Sequence, residues 1–234
     1  MKKFYQVSTL NALMLGDFYG AISVNEILKY GNTGIGTFEG LDGEMIILDG
    51  KAYNGKASGN VEEYGENKKI AFAAVSELSK DAESYTLKNI PDLKQLRNRL
   101  DKLIDNKNIF YILKAHVDLN SVKVRSCYKQ EEPYKTLLEV SSSQMEYSYE
   151  KCSGYLVGVW CPKYADGLNM PGWHLHFLSD DRTKGGHLLE ISIKKADIKI
   201  DSKNDYEIIL PSDKKFKSLN LSADLKNDVK KVEG

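Results

Sequence analysis

Hydrophobic and polar positions follow two periods along this chain. Between residues 91 and 105, Leu93, Leu96, Leu100 and Leu103 recur at spacings of three, four and three, which puts one apolar stripe on an amphipathic helix suited to covering a sheet face. Residues 8–15 predict a short helix. Ser23-Val-Asn-Glu26 spells a capping box that opens a second, with Gly31 placed to stop it. Elsewhere the pattern is that of strands. Residues 36–53 predict a meander, with Asp42-Gly43 and Asp49-Gly50 as tight turns around the apolar run 45–48. Residues 109–124, rich in β-branched and aromatic side chains, predict one or two long strands, and the polar, proline-bearing stretch 130–135 is a break. Five further strands are expected at 144–150, 154–161, 173–178, 187–198 and 206–210, making an antiparallel second sheet. Ser222 is expected to cap a C-terminal helix with Leu221, Leu225, Val229 and Val232 on one side.

The order of elements predicts an α/β chain of the α+β type. Two linked sheets are expected, a larger mixed N-terminal one with short helices and an antiparallel C-terminal one. They divide the chain into residues 1–125 and 126–234.

Composition narrows the function classes. With 41% hydrophobic and 28% charged residues and 5 prolines in 234, the chain is globular rather than disordered or fibrous. Thirty-three basic against 33 acidic residues give no net charge, so nothing draws a polyanion from a distance and nucleic acid is not an expected partner. Only Arg97, Arg99, Arg125 and Arg182 can supply a permanent planar cation. The three cysteines, Cys127, Cys152 and Cys161, form no C-x-x-C pair, which excludes a disulfide framework or a cysteine-only zinc ribbon and fits a reducing cytoplasm. The segment after Met1-Lys2-Lys3 lacks an apolar h-region, and no stretch reaches the ~18–20 apolar residues of a membrane span.

Histidines carry the strongest chemical signal. Three of the 4, His174, His176 and His187, fall within PGWHLHFLSDDRTKGGH. On a strand His174 and His176 share a face while Trp173, Leu175 and Phe177 take the other. A hairpin through the turn-rich SDDRTKGG would return His187 opposite His176. Three converging imidazoles suit one divalent ion with open positions, zinc in first place, although copper, iron, nickel or cobalt also accept such ligands. Cys161 is an alternative fourth ligand that would close the site, and His116 is expected to be structural. Arg125 and Arg182 are the candidate cations beside an anionic substrate. A cupin-like metal oxygenase or isomerase, with Asp180 echoing that motif, is one alternative reading, and a non-catalytic binding module is another. No Ser-His-Asp elbow, phosphate loop or dinucleotide glycine motif is present.

Nearly the whole chain resembles the α-acetolactate decarboxylases, through FYQVSTLNALMLGDFYG, YGNTGIGTFEGLDGEMIILDG and PGWHLHFLSDDRTKGGH, with Trp173 where tyrosine is expected. The resemblance implies a carboxy-lyase of acetoin and butanediol formation. It would convert (S)-2-acetolactate to (R)-acetoin and CO2 without pyridoxal phosphate, thiamine or a nicotinamide, through a metal-stabilised enediolate, and would be a homodimer. It further implies His174, His176 and His187 as metal ligands and Arg125, Glu44 and Thr37 as active-site residues. A second glutamate from the tail falls on Glu233, with Glu62, Glu63 and Glu190 as other candidates.

Overall fold

The computed structural model describes residues 3–233 and, of Glu233, the backbone alone. β1 (Lys3–Val7) leads into α1 (Leu10–Met14), whose cap is the Thr9 hydroxyl, accepting from the Ala12 amide at 3.1 Å. After β2 (Ile22–Ser23), the expected capping box closes on α2 (Val24–Ile27). There the Ser23 amide donates to Glu26 Oε2 at 2.7 Å and the Glu26 amide donates to Ser23 Oγ at 3.3 Å. β3 (Thr33–Phe38), β4 (Glu44–Leu48) and β5 (Lys51–Gly55) form the meander, with Asp49 and Gly50 both at positive φ, as a tight turn between twisted strands requires. β6 (Val61–Glu63), β7 (Lys69–Ser76) and β8 (Glu83–Ile90) follow. The leucine stripe gives α3 (Leu93–Leu100), capped by Asp92, and then a single 17-residue strand, β9 (Phe110–Ser126). The rest comprises α4 (Leu137–Ser141), β10 (Met145–Glu150), β11 (Ser153–Cys161), β12 (Gly172–Ser179), β13 (Gly185–Lys203), β14 (Asp205–Ile209), α5 (Lys214–Ser218) and α6 (Lys226–Glu233).

Two sheets result, as the α+β reading expects. One has eight strands in the order β14-β1-β7-β3-β4-β5-β6, with β2 on β7, and is mixed because β14 runs parallel to β1. The other has six in the order β10-β9-β11-β12-β13-β8. All its pairings are antiparallel, and β13 also pairs along β9, so β9, β11, β12 and β13 close a ring.

Sheet membership runs across residue 125. Residue 125 lies inside β9, and β8 with nearly all of β9, which precede it, belong to the second sheet. The strand expected at 206–210 joins the first sheet instead, where Tyr206 stacks on Phe110 with ring centroids 4.6 Å apart. Strand propensity marks an extended segment but not its partner, which is chosen by burial across the whole fold. Ser222 likewise does not cap the last helix: α6 begins at Lys226, whose amide donates to Asp224 Oδ1 at 3.2 Å.

The sheets meet face to face. Phe4, Ile35 and Ile46 of the first pack with Phe110, Val157 and Leu178 of the second in one buried cluster. On the other face of the ring, Leu96 and Leu100 of α3 join Trp173, Leu175 and Phe177. Burial of each such side chain is worth about 1.5–3 kcal/mol. The alternation along β12 therefore turns His174 and His176 toward the first sheet.

Candidate metal centre

The hairpin of β12 and β13 sets His176 directly opposite His187, and His187 directly opposite Arg125 on β9. Opposed residues of a sheet share a face, so strand pairing alone aligns these three, and His174 joins from two residues upstream. His174 Nε2 lies 3.0 Å from His187 Nδ1 and 3.3 Å from His176 Nε2. Among the described residues these three histidines form a group able to hold a metal, one nitrogen from each lying within 4.8 Å of the others.

The donor set fits a divalent ion. Two ligand atoms bound to one tetrahedral centre at Zn–N distances stand about 3.3 Å apart, close to the spacing of these rings. His176 Nδ1 donates to the Met45 carbonyl at 3.0 Å, which fixes the tautomer and leaves Nε2 as the ligand atom. Burial holds all three imidazoles well below the usual histidine range, His174 at about 3, with Arg125 adding to the effect. They are neutral at pH 7, the form that ligates.

The first sheet contributes a carboxylate. Glu44 opens β4, and its Oε2 lies 3.4 Å from His176 Nε2. The turn before it is clamped. Thr37 Oγ1 donates to the Gly43 carbonyl at 2.7 Å, and Gly43 holds a φ of 74° where a Cβ would sit 1.9 Å from Asn54 Oδ1. Arg125, only 6% exposed, donates to Gln144 Oε1 at 3.2 Å and to the carbonyl of Val232 in α6. These groups share one cavity, whose apolar wall includes Leu10, Leu13, Phe72 and Leu137. Three imidazoles able to hold a metal, a guanidinium and a carboxylate facing an alkyl wall suit a small oxygen-rich anion with short alkyl groups.

Other sequence candidates lie elsewhere. Arg182 lies over Tyr155 at 5.1 Å and donates to the Ser179 carbonyl at 2.9 Å. Asp180, the residue that suggested a cupin, is bonded to His116 at 3.1 Å and to the Ser153 hydroxyl, apart from the three histidines. Cys161 is fully buried between the sheets, where burial raises its thiol pKa, and it is not part of the histidine group. Glu62 and Glu63 pair with Lys56 and Lys51, and Glu190 lies 3.6 Å from Lys123. The side chain of Glu233 lies outside the described residues; its backbone ends α6 one residue after Val232. Sequence reasoning missed Gln144 and Asn169, which also line the cavity, because neither carries a local motif.

The chain matches a known family in sequence and in fold. The family model described as alpha-acetolactate decarboxylase matches residues 4–223. The alpha-acetolactate decarboxylase of Methanosarcina mazei is 38% identical over 98% of this chain and 79% of its own, and that of Brevibacillus brevis 37% over 93% and 76%. The crystal structure of alpha-acetolactate decarboxylase from Bacillus subtilis strain 168 superposes with a TM-score of 0.95 at 28% identity, covering 99% of both chains. Motif and fold thus agree, and the chain belongs to the alpha-acetolactate decarboxylase family.

Proposed function

We propose that this member of the family acts on (S)-2-acetolactate and releases (R)-acetoin and CO2, with one divalent transition-metal ion, zinc foremost, held by His174, His176 and His187. The observation that carries the reading is the opening of three neutral imidazoles, Arg125 and Glu44 on a single apolar-walled cavity. An ion held by His174, His176 and His187 would supply Lewis acidity to the reaction.

The remaining work falls to the chain. Arg125 orients the substrate carboxylate, and its permanent charge offsets the oxyanion that grows as the C–CO2 electrons move toward the neighbouring ketone. The product of that step is an enediolate, which needs one proton on one face of its carbon. Glu44, next to His176, is placed to deliver it, with Glu233 as the second acid at the end of α6. Thr37 holds the turn that aims Glu44. Leu10, Leu13, Phe72 and Leu137 keep bulk water from protonating the intermediate at random.

The neutral composition supports an enzyme without a nucleic-acid partner, and three cysteines with no C-x-x-C pair support a cytoplasmic setting. The assembly we infer is a homodimer. No described helix is long and apolar enough to cross a membrane.

The test is acetoin formation from racemic acetolactate by metal-depleted and zinc-restored protein, with chiral analysis of the product. One enantiomer made only after zinc returns is expected; racemic acetoin, or turnover indifferent to full metal removal, would sink the mechanism. Glu233→Gln is expected to keep its metal and lose most turnover, and unchanged turnover would remove that residue from the reaction.

A further inference from the structure

A second, larger space lies outside the histidine cavity. It is an open groove of about 1090 Å³ bounded by α3, the start of β12 and α6. Its floor is aromatic. Trp160 and Trp173, the only 2 tryptophans of the chain, have ring centroids 5.6 Å apart and planes tilted by 58°. Around them stand four cations, Arg97, Lys163, Lys226 and Lys230, against two carboxylates, Asp101 and Asp166. Both carboxylates are engaged. Asp101 accepts from Trp173 Nε1 at 3.1 Å and from Lys107 at 2.9 Å, and Asp166 lies 3.6 Å from Lys226. In a chain with no net charge such a surplus is a local feature, and low-dielectric walls focus its field.

The groove borders the inner cavity along two stretches of chain. Met170 lines the groove and Asn169 the cavity, and on α6 Val229 lines the groove while Val232 lines the cavity; Trp173 and His174 take opposite faces of β12.

We propose that this groove is an anteroom that binds the small 2-hydroxy carboxylate substrate before it reaches Arg125, with alkyl groups on the tryptophan rings and the carboxylate among Lys163, Lys226 and Lys230. The anion's identity rests on the acetolactate reading; the site itself rests on shape and charge. Its position along α6, whose Val232 lines the cavity, sets it next to the metal centre.

Tryptophan emission reports on this groove alone, so quenching tests it without turnover. Iodide, an anion, is expected to quench roughly twofold or more efficiently in the native protein than in the Lys163→Gln, Lys226→Gln, Lys230→Gln variant at low salt. Neutral acrylamide should quench both proteins equally, which also checks the fold. The unreactive analogue 2-hydroxyisobutyrate should protect the native protein from iodide. In the zinc-loaded enzyme the triple variant should keep kcat, lose kcat/KM several-fold and lose its ionic-strength dependence. Equal iodide quenching of both proteins, or no protection by 2-hydroxyisobutyrate, overturns the proposal. If the hydroxy acid protects but no acetoin is made, the groove stands and the acetolactate reading falls.

Discussion

Arg125 and His187 are direct partners across β9 and β13, so the cavity's guanidinium and its third imidazole are registered by the backbone ladder itself. Changing one side chain therefore leaves the position of the other intact, which makes the site suited to single substitutions.

Arg125→Lys keeps a charge but loses the planar fork that reaches Gln144 and the Val232 carbonyl. A drop of about 100-fold or more in kcat/KM is expected, with bound metal unchanged by elemental analysis. Activity within a few-fold of the native protein would show that the guanidinium does not meet developing charge.

Zinc affinity should be nearly flat between pH 5.5 and 7.5. Three ordinary imidazoles would lose about 10³-fold over that range as protons compete for the ligand nitrogens. Here burial lowers all three pKa values, His174 to about 3, so competition begins only in stronger acid. Chelator competition across the range measures this, and a thousand-fold loss at pH 5.5 would contradict the enclosed geometry.

Thr37→Val deletes the hydroxyl that holds the Gly43 carbonyl, while Gly43→Ala strains a positive φ and presses on Asn54. Both should lower kcat about tenfold or more by misaiming Glu44, with the alanine variant the worse. Metal content should stay native in each, because the three rings are set by the β12–β13 pairing and Met45, whose carbonyl His176 bonds, is held within β4. A loss of metal in step with activity would argue for general unfolding instead.

Stability should fall as pH rises from about 4 to about 6 because of Asp17. Its carboxyl is 1% exposed, and burial first, then the charge of Asp213, raises its pKa from 3.8 to about 6, with the Tyr19 amide opposing. The folded state thus binds this proton more tightly than the unfolded chain, and the advantage is complete below the unfolded value and lost above the folded one. Asp17→Asn should then stabilise the protein at pH 7 by about 3 kcal/mol and be near neutral at pH 4. Denaturant midpoints at the two pH values decide the matter.

Much of the centre was legible because it is local. His174 and His176 share a face by strand period, and a turn-rich segment of a few residues suffices to bring back His187. The capping box at Ser23 and the leucine stripe of α3 are likewise written within a few residues. The rest depends on distant parts of the chain. β7 is buried along almost its whole length, so it shows no alternation, and β14 looks like any short strand until β1 is found to be its neighbour. Gln144 enters the cavity only because β10 pairs beside Arg125, and no motif records that pairing.

The parallel pairing of β1 with β14 has a consequence for biosynthesis. Residues 3–7 are made about two hundred residues before residues 205–209, one of their two strand neighbours. The nascent polypeptide must therefore carry β1 with one margin unpaired until β14 has been made, a sequence separation that delays closure of the first sheet.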